Sequence, residues 1–127
     1  MSDSDQNRHI MERLNQWGCD VRSAMPRFLN NTDMYCQLLR SVPKQDSFDK
    51  LGAALDEGNP EEAFEQAHSL KGVLANMAIT PMYAEVCEIV ERLRGGDMDG
   101  VPARYEELLR EKAILQDILS EKGESDS

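Results

Sequence analysis

The sequence predicts an all-α fold, an antiparallel up-down four-helix bundle with additional short helices at the N-terminus. Apolar residues recur at helical spacing in every long segment, and no stretch alternates as a half-buried strand would. Cap-and-proline starts at Asn59-Pro60 and Thr80-Pro81, with glycine stops at Gly18, Gly58 and Gly95-Gly96, divide the chain into helices joined by short connections. Each long helix carries one apolar stripe, which an antiparallel neighbour can bury.

Residues 1–5 are small and polar, as is the stretch 121–127, and both are expected to be loosely ordered around a helical domain spanning 6–120. From Gln6 to Trp17, the spacing of Ile10, Leu14 and Trp17 predicts a first amphipathic helix. Asp20 is placed to cap a second, with Val21, Met25, Phe28 and Leu29 inward and Pro26 kinking or shortening it. Asn31 or Thr32 starts a third, with Tyr35, Leu38, Leu39 and Val42 inward and Pro43 as its stop. The four bundle helices are expected near 44–57, 60–78, 81–95 and 101–120, the three shorter ones covering one end. Phe48, Leu51 and Leu55 form the stripe of the first, and Tyr83, Val86, Cys87, Val90 and Leu93 that of the third. Val101, Tyr105, Leu108, Leu109, Lys112, Leu115 and Leu119 form that of the last. In Asn59-Pro60-Glu61-Glu62 an N-cap, a first-turn proline and a glutamate placed for a capping box launch the second.

A chain of 127 residues that is 40% hydrophobic suits one domain with its own core. The net charge of -10 argues against attraction to nucleic acid or to an anionic membrane, and for a protein partner. Cys19, Cys36 and Cys87 are widely spaced and odd in number, as expected of reduced core thiols in a cytoplasmic protein. No apolar run has the length of a membrane span, and the first residues lack the pattern of a signal peptide.

The stretch Ala67-His68-Ser69-Leu70-Lys71-Gly72 lies in the middle of the Asn59-capped helix. At 100° per residue, Ala63, Ala67, Leu70, Leu74, Met77 and Ala78 gather on one side, while Glu61, Phe64, His68, Gly72 and Ala75 gather around another direction. A glycine inside a helix costs about 1 kcal/mol relative to alanine, so Gly72 calls for a packing or functional reason. The chain lacks a phosphate-binding glycine loop, GxSxG, HExxH and the paired EExxH of a di-iron site. What remains is His68 as a nucleophile. A neutral imidazole nitrogen can attack phosphorus, and phosphoryl transfer needs in-line approach and charge compensation above all. Lys71 supplies the charge and Gly72 the clearance for a partner, with Phe64 and Ala75 as a small apolar docking surface. Glu61 and Glu65 oppose a phosphorylated product and are expected to angle away or be screened. Ser69 and His9 receive no role.

The stretch from Ala67 to Gly72, followed by Asn76, resembles the signature of histidine-containing phosphotransfer (HPt) domains, the intermediates of bacterial phosphorelays. Trp17-Gly18-Cys19-Asp20, Ala24, Phe28-Leu29, Tyr35 and Leu38-Leu39 resemble the lead-in of free-standing HPt proteins, and the likeness extends over roughly residues 10 to 120. The resemblance implies a four-helix bundle with His68 as an exposed phosphoacceptor, Lys71 as the adjacent cation and Gly72 as the small residue beside the ring. It implies receiver domains of hybrid histidine kinases and response regulators as partners, no kinase domain in the chain and no tightly held cofactor or metal, the Mg2+ belonging to the receiver. Ala75 and Ala78 stand where such sequences often carry glycine, and Pro26 interrupts a helix usually written without proline. A monomer without nucleic-acid or membrane partners is expected. The alternative is a helical adaptor that uses the same face without phosphorylation.

Overall fold

Capping and punctuation set most helix boundaries in the computed structural model, which describes residues 3–121. Helix α1 runs Asp3–Trp17, α2 Val21–Ala24, α3 Thr32–Leu39, α4 Ser47–Asp56, α5 Pro60–Asn76, α6 Thr80–Arg94 and α7 Val101–Ser120. Short 3-10 turns, Met25–Phe28 and Val42–Lys44, carry Pro26 and Pro43 in their first turns, where a missing N–H costs nothing. No strand occurs among the described residues.

Helices α4 to α7 form the bundle. Each packs on the next and α7 returns to α4, while α1 leans on α3 and α7. Tyr35, Phe48, Leu51, Leu70, Leu74, Met82, Ile89, Leu108 and Leu115 are fully buried in one continuous core. Between α4 and α7, Gly52 leaves the space that the Tyr105 ring fills, and the Tyr105 hydroxyl donates to the Phe48 carbonyl at 2.9 Å.

Several expectations are corrected. Helix α1 begins at Asp3 rather than Gln6, and Glu121, expected in a loose tail, is held against α1. Its backbone oxygen accepts from Gln6 Nε2 at 3.1 Å, and its carboxylate meets His9 Nε2 at 2.7 Å and the Arg13 guanidinium. His9 is thus part of a polar clamp. The expected loose ends at residues 1–2 and 122–127 lie outside the described residues. Leu29, expected inward, is 82% exposed, because it leaves the Pro26 3-10 turn in a left-handed conformation, and Leu38 is 44% exposed, because α3 presents Tyr35, Cys36 and Leu39 to the core. Leu55 is half-buried and Ala54 takes its inward place. In α6 the stripe is rotated: Met82 and Ile89 are buried with Val86, Val90 and Leu93, while Tyr83 and Cys87 are half-buried on a flank. In α7 Ile118 is buried, whereas Tyr105, Leu109, Lys112 and Leu119 are half-buried.

Three caps also differ. The Asp20 side chain makes no cap hydrogen bond. Thr80 is the first residue of α6 rather than its cap, and its hydroxyl accepts from the Asp20 backbone N–H at 3.1 Å. Asn59 caps α5 as expected, accepting from Glu62 N at 3.1 Å, but Glu62 Oε1 accepts from Gln66 Nε2 instead of closing a capping box. Burial pushes the Cys19 thiol up to about 12 and that of Cys36 up to about 11, so both stay protonated and unreactive at neutral pH.

Candidate functional site

Helix α5 builds the site. The Asn59 cap and Pro60 at its first turn fix where it starts, and Ala63, Ala67, Leu70 and Leu74 bury its inner face. That register turns His68, Gly72 and Ala75 to solvent and leaves Phe64 and Lys71 half-buried beside them. Four of the expected site residues thus share one outer face, with Lys71 nearer the core on its flank.

His68 makes no hydrogen bond among the described residues, so both ring nitrogens are open to chemistry. Its ring stacks on Phe64 one turn earlier, with centroids 5.8 Å apart and planes 9° apart. The Arg94 guanidinium of α6 lies over the Phe64 ring, 5.4 Å from its centroid, and its Nε donates to Glu91 Oε2 at 3.3 Å. Lys71 forms no ion pair among the described residues, which leaves its ammonium available to an incoming anion. A β-carbon built on Gly72 would meet nothing within 4 Å, so no neighbour requires glycine there and the helix surface beside the histidine is clear.

Next to this face, Glu61, Phe64 and Glu65 of α5 and Arg94 of α6 line an open groove of about 600 Å³. Both glutamates are exposed, so water screens their charge, and Arg94 adds a cation to the same rim. Arg94 escapes the reading of α5 because it is far away in sequence. Its signal lies in the α5–α6 hairpin: folding back about residues 76–80 brings the end of α6 beside the start of α5.

At its other end α5 closes with a Schellman motif. Ile79 N donates to Leu74 O and Ala78 N to Ala75 O, both at 3.1 Å, and Ala78 takes a left-handed φ of 58°. This is the position where the resemblance leads one to expect glycine. Arg27 reaches the Asn76 carbonyl at 3.2 Å, and the buried Tyr35 hydroxyl donates to the Met77 carbonyl at 2.7 Å, so the N-terminal segment is fastened to this helix end.

A family model described as Hpt domain matches residues 33–121. The chain belongs to the Hpt domain family. Hpt domains serve histidine phosphotransfer in two-component signalling, as phosphocarriers without kinase activity that interact with receiver domains. Comparison with curated proteins and with solved structures gives no match. The matched span of this Hpt domain runs from Asp33, the second residue of α3, through α7 and takes in the entire α5 face, whereas α1, α2 and the turn through Phe28 precede it. Among the described residues, no helix is long and apolar enough to cross a membrane and no three His, Cys, Asp or Glu side chains cluster as a metal site.

Proposed function

We propose that this Hpt domain accepts a phosphoryl group on His68 from the aspartyl phosphate of one receiver domain and passes it to the aspartate of another. The observation that carries the reading is an exposed imidazole with no hydrogen-bond partner among the described residues, beside the open surface at Gly72 and a Lys71 that forms no ion pair among them, on one helix.

A ring nitrogen of the neutral imidazole attacks phosphorus in line. The P–N bond forms as the bond from phosphorus to the receiver's carboxylate oxygen breaks, and the carboxylate leaves with the electron pair. Transfer onward is the same exchange in reverse with a second receiver. Lys71 offsets charge on the transferring oxygens, Gly72 admits the receiver's acidic site, and Phe64 and Ala75 provide apolar contact. The Mg2+ is supplied by the receiver, and the domain acts as a phosphocarrier between receivers. It works as a cytoplasmic monomer, with receivers of hybrid histidine kinases and response regulators as partners.

The test is transfer from phosphorylated receivers in Mg2+ to the parent chain and to His68→Gln. Acid-labile, base-stable label on the parent and none on the variant is expected. Receivers that bind without labelling the parent would overturn the reading in favour of an adaptor.

A further inference from the structure

Leu29 is the most exposed large apolar side chain among the described residues, at 82%. It also has a left-handed φ of 56°, followed by Asn30 at 58°. A β-carbon disfavours that conformation, which suits glycine or asparagine far better than leucine. The turn itself is well held: Leu29 N donates to Pro26 O at 3.1 Å and Asn30 N to Met25 O at 2.9 Å. Neither burial nor backbone conformation therefore accounts for leucine here, and an apolar residue kept in water at a strained position points to contact with another molecule.

Where the turn sits identifies that molecule. Arg27, two residues earlier, is bonded to the Asn76 carbonyl, and Phe28 packs edge-on against Tyr35, which holds the Met77 carbonyl. Asn76 is two turns beyond His68, ~12 Å along the helix axis at 1.5 Å per residue. A standard protein interface covers about 800 Å² per partner, a patch about 30 Å across, so one centred near His68 takes in the turn.

Charge agrees. The protein carries 24 acidic residues, yet Val21–Thr32 contains none beside Arg22 and Arg27, and Gln66–Ala84 contains none beside His68 and Lys71. The fold joins these two acid-free stretches. At one boundary Asp33 is turned toward α1 and accepts from Asn7 Nδ2 at 2.7 Å. At the other Asp20 is exposed beside Thr80, whose hydroxyl accepts from its backbone N–H, so the acids stand at the edges of the joined surface. A partner that suits this surface carries its acidic groups around the transferring centre, as a receiver's phosphorylated aspartate and metal-binding carboxylates do.

We propose that the segment Val21–Asn30, outside the span of the family match, extends the docking surface for the receiver, with Leu29 as apolar anchor and Arg27 as the cation beside it. This rests on the phosphocarrier reading.

The experiment takes a panel of receiver domains from the same cell, loaded with acetyl phosphate and Mg2+, and selects the one that labels the parent fastest. Transfer is then followed against receiver concentration for the parent, Leu29→Asn, Arg27→Gln and, as a control, Ile114→Asn on α7, where Ile114 is 40% exposed. Phosphoramidate, a small phosphodonor, labels His68 directly and reports an intact acceptor.

Leu29→Asn is expected to melt at or above the parent temperature and to accept phosphate from phosphoramidate at the parent rate. The receiver concentration for half-maximal rate rises about tenfold, or ~1.4 kcal/mol, with the saturated rate unchanged. Arg27→Gln gives a smaller rise that fades at high salt, and Ile114→Asn gives none. Parent-like receiver dependence of Leu29→Asn, or an equal loss in Ile114→Asn, would overturn the proposal while leaving the phosphocarrier reading intact. A parent that no receiver labels overturns both.

Discussion

The imidazole of His68 and the ring of Phe64 lie parallel, 5.8 Å between centroids, with Phe64 in turn under the Arg94 guanidinium. The stack restrains the imidazole without using either nitrogen. Replacing Phe64 with leucine keeps the apolar contact and removes the flat surface. Aromatic pairing is worth ~0.5–1.5 kcal/mol, so Phe64→Leu should slow transfer at saturating receiver roughly 2–10-fold with little change in melting temperature. A parent rate would show that the stack does not orient the acceptor.

Gly72 separates stability from function. Because an added β-carbon meets nothing, Gly72→Ala should raise stability to denaturant by up to about 1 kcal/mol through helix propensity. Gly72→Leu should fold equally well yet lose roughly 100-fold in transfer, since small misplacements of reacting groups cost that much. Labelling by phosphoramidate should survive, so the loss would appear only with a receiver as donor.

At Ala78 the opposite substitution helps. A left-handed alanine is strained by ~1–2 kcal/mol, and part of that is recovered by a glycine that gives up the small buried methyl. Ala78→Gly should therefore stabilise the protein by about 0.5–1 kcal/mol in urea titration. A destabilised variant would mean that the methyl contributes more by packing than it costs in backbone strain.

Glu111 supplies a pH dependence. Burial, followed by repulsion from Glu85 and Glu107, raises its carboxyl from 4.5 to about 7, and its Oε1 is shut off from solvent without a hydrogen-bond partner among the described residues. The folded chain thus holds this proton more tightly than the unfolded one. The stability it contributes is fully present below pH 4.5 and is lost as pH rises through about 7. Glu111→Gln should flatten that part of the stability profile and leave the variant more stable than the parent at pH 8. An unchanged difference between parent and variant from pH 4.5 to 8 would contradict the assignment.

The bundle was legible because helix starts and stops are chemical signals local to a few residues: Asn59-Pro60, Gly58 and Gly95-Gly96 each act within one turn. His68, Lys71 and Gly72 were legible for the same reason, since their relation is set by the geometry of one helix. The errors arose where a partner element decides. Tyr83 and Cys87 satisfy helical spacing as well as Met82 and Ile89 do, and only the packing of α5 and α7 against α6 selects between the two stripes. Leu29 reads as the next inward residue after Phe28 until Pro26 converts the helix into a 3-10 turn and swings it out. Arg94 reaches the site through an antiparallel hairpin, a relationship between residues 26 positions from His68 that no local pattern encodes.

The clamp of Gln6, His9 and Arg13 on Glu121 brings the first helix and the last together at a single point of the surface. Between Gln6 and Glu121 the fold is in effect a closed ring with a removable link. Joining the two ends by a short linker and opening the chain at the Gly58 turn would give a circular permutant in which α5, with its complete reactive face, becomes the first element synthesised.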